Sequence, residues 1–413
     1  MIAWLCVLLQ AATPAAGPAP LDLATLEAQA LARHPAIRAA AANVDAAKSR
    51  VAQSGAWPNP TIGVSAEELR PNERPSGVYG GFVQQSIPLG GKLGAAKGVA
   101  AAEVAAAEAA LVATRQRVRR DVDDRYYAAV IAGERVSVAA DLAALADRSV
   151  ETARQLMNVG VADRPDVLAA EAEAARMKAR LAEAQSFRFA AWQRLGAAIA
   201  DPALTPQPLA EPVSAALPDI DRAAALAQAL SENGAVTSAE RMLATEQARV
   251  ATAKSATAPD LFLRGDVGRS RERADGRAIG PQFGAEAGVS IPLFNRNRGG
   301  IAAATSTAIG AEAAVEAARL DVTAAFATAF AEYESARAAV EAYRTEVLPK
   351  ARQAYDMQLE KYQAMVAAYP PVLQSERSLF AMTEDYLAAL DRAWSAATTL
   401  RTALVGRGFS PGN

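Results

Sequence analysis

The feature that most constrains the fold is the length of the alanine-rich stretches that contain no proline. One of them runs from Lys92 to Met157, about 66 residues, and a single helix of that length spans roughly 100 Å at 1.5 Å per residue. It is rich in residues that lose little conformational freedom in a helix, chiefly Ala, Leu, Glu and Arg. No globular core of this mass needs so long a helix. We therefore predict long helices that approach one another closely through small side chains.

The chain also contains an internal duplication. Five pairs of segments recur in the same order, about 200 residues apart. We predict two repeats, at 20–200 and 219–405, and a C-terminal tail at 406–413. Between the repeats, residues 201–218 contain five prolines and are predicted to be a linker, because proline is excluded from helix interiors. The paired segments are Arg33–Ile37 with Asn233–Val236, Pro58–Pro60 with Ala258-Pro259, Ser86–Leu89 with Ser290–Leu293, Asp121-Val122 with Asp321-Val322, and Val167-Leu168 and Glu171 with Val372-Leu373 and Glu376.

Each repeat is predicted to contain a helix, two strands joined by a loop, a very long helix, a turn and a final helix. The two shorter helices of a repeat together match the long helix in length, so they can stack end to end along it. His34-Pro35 is interpreted as the end of a helix and not as a ligand. The predicted helices cover 21–54, 92–157, 165–199, 219–257, 297–364 and 370–404, and the predicted strands cover 60–68, 79–89, 260–269 and 281–293.

The second pair of strands alternates between apolar and polar residues. Along 281–293 every second residue is apolar, and Leu261, Leu263 and Val267 alternate with polar residues in the same way. This pattern is typical of a barrel strand with lipid outside and water inside, although a two-sided hairpin of a soluble protein has it too. Open sheet edges are not tolerated in hydrocarbon, so four strands need further chains to close, and three copies give twelve strands. The residues predicted to face the lumen are Arg264, Asp266, Gln282 and Glu286.

Composition excludes several classes of function. A net charge of −2 gives no electrostatic basis for binding nucleic acid. One histidine and one cysteine leave no Cys/His metal site or catalytic pair. The charged residues from Arg115 to Asp124 are interpreted as i,i+4 ion pairs on a solvated or lumenal face. We predict no catalytic residue, no metal site and no cofactor.

The N-terminus indicates export. An apolar core at Ile2–Leu9 is followed by small residues suited to cleavage, which predicts a signal peptide over 1–19. No Lys or Arg precedes this core, and a buried N-terminal helix is the alternative. Beyond the first twelve residues no apolar run approaches the ~20 residues of a membrane helix.

Several motifs carry a resemblance to a known family. They are Leu31–Ala36, Trp57–Pro60, Ser86–Lys92 and Ser290–Gly299, and they recur in order over the whole mature chain. On these residues the chain resembles the TolC family of outer-membrane efflux proteins, in the branch that serves heavy-metal exporters of the RND type.

The resemblance implies a mainly α-helical protein with a small transmembrane β part. Three chains of the family form a 12-stranded β-barrel in the outer-membrane lipid, continued by a 12-helix α-barrel through the periplasm. The helix–turn–helix corners close this duct and meet a periplasmic adaptor (membrane fusion) protein and an inner-membrane RND pump. The implied function is a passive exit duct, here for heavy-metal cations.

The same resemblance identifies candidate gate residues at the two corners. In the first corner Gly160 and Asp166 occupy the family's glycine and acidic positions, and Asp163 and Arg164 are their neighbours. In the second corner Tyr362 matches, whereas Met365 replaces the glycine and Pro371 replaces the acid. An acidic gate would therefore depend on Asp163 and Asp166. As a first-turn residue after Pro165, Asp166 also has a structural interpretation that is compatible with gating.

A periplasmic coiled-coil adaptor or scaffold is the alternative function. An adaptor should carry a lipoyl-like or β-barrel domain between its two helices and should lack a second strand–helix repeat. The sequence predicts the reverse.

Overall fold

The computed structural model describes residues 20–67, 77–210, 217–270, 273–274 and 277–404. The predicted signal peptide at 1–19 and the tail at 406–413 lie outside the described residues. The described helices are α1 (Leu23–Arg33), α2 (Pro35–Ser54), α3 (Lys92–Asn158), α4 (Arg164–Ala198), α5 (Arg222–Glu232), α6 (Gly234–Ser255), α7 (Arg298–Ala342), α8 (Leu348–Gln363) and α9 (Tyr369–Thr398).

The long helix α3 has 67 residues and agrees with its predicted bounds to within one residue. The helices predicted at 21–54 and 219–257 are wrong as single helices, because each is broken once. His34 has an extended backbone and ends α1, because the residue before a proline disfavours the helical conformation. The His34 Nδ1 accepts a hydrogen bond from the Ala36 amide at 3.2 Å. Asn233 is the corresponding break, with its Oδ1 accepting from the Ala235 amide at 2.8 Å.

The helix predicted at 297–364 is interrupted by a π-helical turn. This turn, Tyr343–Val347, separates α7 from α8. Pro349 follows within two residues, and a proline inside a helix removes one N–H donor and crowds the carbonyl four residues earlier. A wider turn relieves that crowding while the helix continues. A second π-helical stretch, Thr399–Leu404, follows α9.

The strands form one antiparallel sheet that joins the two halves of the chain. They are β1 (Thr61–Glu67), β2 (Val78–Pro88), β3 (Asp260–Ser270) and β6 (Pro281–Ser290), in the order β1-β2-β3-β6. Two short strands, β4 (Arg273–Ala274) and β5 (Arg277–Ala278), pair with each other beyond the end of β3. The last strand ends before the predicted residue 293, because Pro292 has no N–H to donate to a ladder.

The shorter helices pack along the longer ones. Helices α1, α2 and α4 lie against α3, and α5, α6 and α9 lie against α7. Near the middle of α3 the side chains of Leu26, Tyr126 and Leu195 share one core, so α1 and the end of α4 meet beside it. The predicted end-to-end arrangement is thus present. A second core lies at the corners, around Leu156, Tyr362 and Phe380. Within the described residues, no helix combines the length and the apolar character needed to cross a membrane.

Candidate functional site

The predicted lumen residues share one face of the sheet. Strands β3 and β6 pair so that Arg264 lies opposite Glu286, and Gln282 lies opposite Gly268. Residues directly opposite each other in the ladder point to the same side, as do residues two apart on a strand. Asp266 therefore belongs to this face as well. The role of these four residues in lining a pore stays a prediction.

Two further residues of this polar face come from the first pair of strands. The guanidinium of Arg264 lies 4.3 Å above the centre of the Phe82 ring and 3.9 Å from the Glu67 carboxylate. Sequence reasoning missed both partners, because β1 and β2 alternate less regularly than β3 and β6. The register of β2 against β3, with Phe82 opposite Asp266, is what places them beside Arg264.

The opposite face of the sheet is apolar and exposed. Val64 is 90% exposed and Phe283 is 80% exposed. A contiguous apolar surface of this kind is unfavourable in water and matches the lipid-facing band of a membrane barrel. The exposed apolar side chains on this face are Ile62, Val64, Tyr79, Val83, Leu263, Val267, Phe283 and Val289.

The first corner is a capped helix start. The Asp163 carboxylate accepts a hydrogen bond from the Asp166 amide at 3.0 Å, and the Asp166 carboxylate accepts from the Asp163 amide at 3.5 Å. This reciprocal arrangement is a capping box, which satisfies amides that the first turn leaves unpaired. Asp163 and Arg164 are exposed, whereas Asp166 is half-buried. The structural interpretation of Asp166 therefore holds, and its carboxylate stays at the surface of the corner.

The second corner repeats the turn of the first without its glycine. Gly160 has φ +76°, and Met365, at the position where the family has glycine, has φ +62°. The left-handed conformation costs a residue with a side chain about 1–3 kcal/mol. The substitution therefore changes the residue and keeps the turn.

Tyr362 lies at the end of α8, in the second corner, and close to the acids of the first. Its side chain is buried, and its ring centre is 5.4 Å from that of Tyr369. Burial raises the pKa of Tyr362 to about 12, and the carboxylates of Asp166 and Asp163 contribute to the rise. The hydroxyl has no hydrogen-bond partner in the described part of the chain. The structure thus brings Tyr362 close to both corner acids without a direct bond.

The interpretation of the Arg115–Asp124 segment as a solvated face is wrong for Asp123. Its neighbour Asp121 forms an i,i+4 pair with Arg125, at 3.3 Å. Asp123 is fully buried, and its carboxylate accepts a hydrogen bond from the Arg401 guanidinium at 2.6 Å. The π-helical stretch Thr399–Leu404 lies against this face of α3. A sequence signal existed, because Asp123 falls within the apolar stripe of Val122 and Tyr126.

Two more acids are buried where the helices meet near the corners. Glu173 on α4 and Glu376 on α9 are at most 2% exposed. Glu376 follows Val372 by four residues and precedes Phe380 by four, so it also lies within an apolar stripe of its helix. In the described part of the chain, no group of three or more His, Cys, Asp or Glu side chains could hold a metal ion.

Comparison with known proteins agrees with this architecture. The profile of the family "Outer membrane efflux protein" matches residues 26–201 and 225–406. The cobalt-zinc-cadmium resistance protein CzcC of Cupriavidus metallidurans is 30% identical over 391 residues, which are 94% of this chain and 90% of that protein. The nickel-cobalt-cadmium resistance protein NccC of Alcaligenes xylosoxydans xylosoxydans is 28% identical, over 72% of this chain and 67% of its own.

Solved structures share the fold at low sequence identity. CusC is a protein that folds to form a transmembrane channel. Its structure superposes on this chain with a TM-score of 0.78 at 18% identity, covering 92% of this chain and 91% of CusC. The outer membrane protein VceC of Vibrio cholerae superposes on this chain with a TM-score of 0.76 at 22% identity, covering 94% of this chain and 97% of VceC. Duplicated long helices, a four-stranded sheet with one exposed apolar face and a profile match over both halves lead to one assignment. The chain belongs to the outer membrane efflux protein family and has the TolC-like fold of its channels.

Proposed function

We propose that three copies of this chain form a passive exit duct for heavy-metal cations, from the periplasm or an inner-membrane pump to the exterior. In this proposal the corners meet a periplasmic adaptor protein, which links the duct to an RND pump. The family and the fold are those of channel proteins and not of enzymes. CzcC is a cobalt-zinc-cadmium resistance protein and NccC a nickel-cobalt-cadmium resistance protein, and their similarity to this chain supports metal cations as the cargo.

The sheet is the observation that carries the proposal. In the described residues β1 and β6 each have a neighbouring strand on one side only. Unpaired backbone groups cannot remain in hydrocarbon, so the exposed apolar face requires closure by other copies of the chain. Pairing β6 of one copy with β1 of the next leaves no edge after three copies. Arg264, Asp266, Gln282 and Glu286 would then face the water-filled interior and influence ion selectivity.

The cargo is tested by metal tolerance in the native host. Deleting the gene is expected to lower tolerance to cobalt, zinc or cadmium, and the wild-type gene should restore it. Tolerance to detergents and dyes, measured in parallel, is the control. A deletion strain that loses detergent tolerance and keeps metal tolerance would contradict the cargo while leaving the duct in place.

The corners are proposed to form a cation-selective constriction. Three copies of Asp163 and Asp166 near a three-fold axis would form a ring of carboxylates, whose mutual repulsion is relieved by cations or by Arg164. With Pro371 in place of an acid, the second corner adds no matching charge. The ring should therefore favour cations in the resting pore and should be blocked by multivalent cations.

Removing this charge without removing the helix cap tests the constriction. We expect the double change of Asp163→Asn and Asp166→Asn to lower cation preference and multivalent block in single-channel recordings. Asparagine caps a helix about as well as aspartate does, whereas alanine at the cap costs about 0.5–2 kcal/mol. Asp141→Ala, on the exposed surface of α3 far from the corner, is the matched control. Unchanged selectivity in the double variant would remove both residues from the gate.

A further inference from the structure

A buried carboxyl group lies where four helices meet above the corners. Glu376 on α9 is fully buried, and its Oε2 accepts a hydrogen bond from Ser149 Oγ on α3 at 3.4 Å. Ser149 Oγ is also 3.3 Å from the Tyr355 hydroxyl on α8. The second carboxyl oxygen, Oε1, has no hydrogen-bond partner in the part of the chain that is described. The cluster of Glu376, Ser149 and Tyr355 thus connects the two helical hairpins, α3–α4 and α8–α9.

The arginines in this region neutralise a different acid. Glu173 on α4 is paired with Arg176 of its own helix and with Arg377 of α9, the latter at 3.0 Å. Both guanidiniums are half exposed, so solvent weakens their effect on more distant groups. Glu376 forms no ion pair in the described residues, and the Glu173 charge opposes its ionisation. The charged groups that act on Glu376 directly are Glu173 and Arg176 on α4 and Arg377 on α9. Glu376 in turn acts on the hydroxyls of Tyr355 on α8 and Tyr369 on α9, and these are also influenced by Arg352, Asp356 and Tyr362 on α8.

This environment favours the neutral acid. Burial raises the pKa of Glu376 to about 7, and the charge of Glu173 adds to the rise, while Ser149 and the two arginines oppose it. A carboxyl whose pKa is higher in the packed state than in the open state binds more protons when packed. The packing of the two hairpins is therefore strongest below the ordinary carboxyl pKa of 4.5. It weakens as the pH rises toward 7 and changes little above that value.

We propose that Glu376 is a proton-operated latch, which holds hairpin α3–α4 against hairpin α8–α9 when it is neutral and loosens their contact when it is ionised. Both hairpins end in the corners that carry Asp163 and Tyr362, so a looser contact changes how the corners meet. That consequence rests on the proposed function, in which the corners close the duct. The loosening itself does not.

Amide hydrogen exchange of the full-length protein in detergent tests the latch. Between pH 5 and 7, peptides from α8 and α9 should lose protection as the pH rises, by up to about tenfold per pH unit after correction for intrinsic exchange. Above pH 7 the protection should level off. Glu376→Gln keeps the shape and the Ser149 hydrogen bond but cannot ionise, so its protection should remain high and independent of pH. Ser149→Ala removes a bond that favours the ionised form, so its transition should move to higher pH.

The first repeat offers a matched control. Glu171 corresponds in sequence to Glu376, but it is half-buried and paired with Arg154 at 2.6 Å. Glu171→Gln should therefore keep the wild-type pH dependence. A wild-type profile without a slope, or a slope retained in Glu376→Gln, would overturn the latch. The exchange measurement needs no transport, so a protein with the predicted slope that conducts no cations would contradict the proposed function alone.

Discussion

Replacing Arg401 with leucine is expected to destabilise the fold by about 3–5 kcal/mol, because the change leaves a buried carboxylate without its partner. Asp123 is fully buried, and the Arg401 guanidinium at 2.6 Å is the cation bound to it. The pair joins α3 to the π-helical stretch Thr399–Leu404, beside Tyr127 and Trp394, whose rings stack at 4.2 Å. In a chain of this size, such a loss corresponds to a fall of roughly 3–6 °C in the apparent melting temperature, measured by circular dichroism.

Two variants separate loss of the charge pair from loss of packing. In the double change of Asp123→Leu and Arg401→Leu no charge stays buried, so most of the stability should return. Arg352→Leu is the control for an exposed pair, since Arg352 and Asp356 form an i,i+4 contact in solvent and should contribute only about 0.3–0.5 kcal/mol. If Arg401→Leu melts no lower than Arg352→Leu, the buried pair has no special role in stability.

The sequence predicted the elements whose pattern is long or strictly periodic. The alanine-rich stretch without proline predicted both ends of α3 to within one residue. The strict alternation of apolar and polar residues predicted the two faces of β3 and β6. Pro349 is visible in the sequence, but whether such a proline breaks a helix or widens one turn depends on how the following residues pack. Here α8 continues along α9, and the helix passes through a π-helical turn without ending.

The buried charges could not be predicted from local pattern alone. Asp123 and Asp121 lie on the same helix among the same arginines, yet the first is buried and the second forms an ordinary surface pair. The difference arises from Arg401, which is 278 residues away in sequence. Glu376 is a similar case, because its neighbours Ser149 and Glu173 come from the other hairpin. An acid within an apolar stripe is the one local sign that residues distant in sequence bury it.

The second large effect is expected on the apolar face of the sheet. Ala287 lies on β6 opposite Leu263, on the side that carries Phe283 and Val289. A cation at mid-bilayer on a lipid-facing strand costs roughly 2–4 kcal/mol, and three copies multiply that cost to about 6–12 kcal/mol per assembly. Ala287→Arg should therefore prevent most of the protein from assembling in the outer membrane. Native mass measurement of detergent extracts should give three chains for the wild type and mostly monomer for the variant.

The neighbouring residue supplies a control at the same depth with the opposite orientation. Glu286 points to the polar face, so Glu286→Arg should assemble and change only ion preference. Its new charge would lie directly opposite Arg264, which costs about 0.2–1 kcal/mol, far less than an arginine in lipid. Gln282→Arg, opposite Gly268, avoids even that repulsion and should assemble like the wild type. Failure of Glu286→Arg together with normal assembly of Ala287→Arg would mean that the lipid face is the polar one.

Closure by three chains is required because a single open sheet leaves its β1 and β6 edges without partners in hydrocarbon. A wild-type protein that is a stable monomer in detergent would contradict that closure.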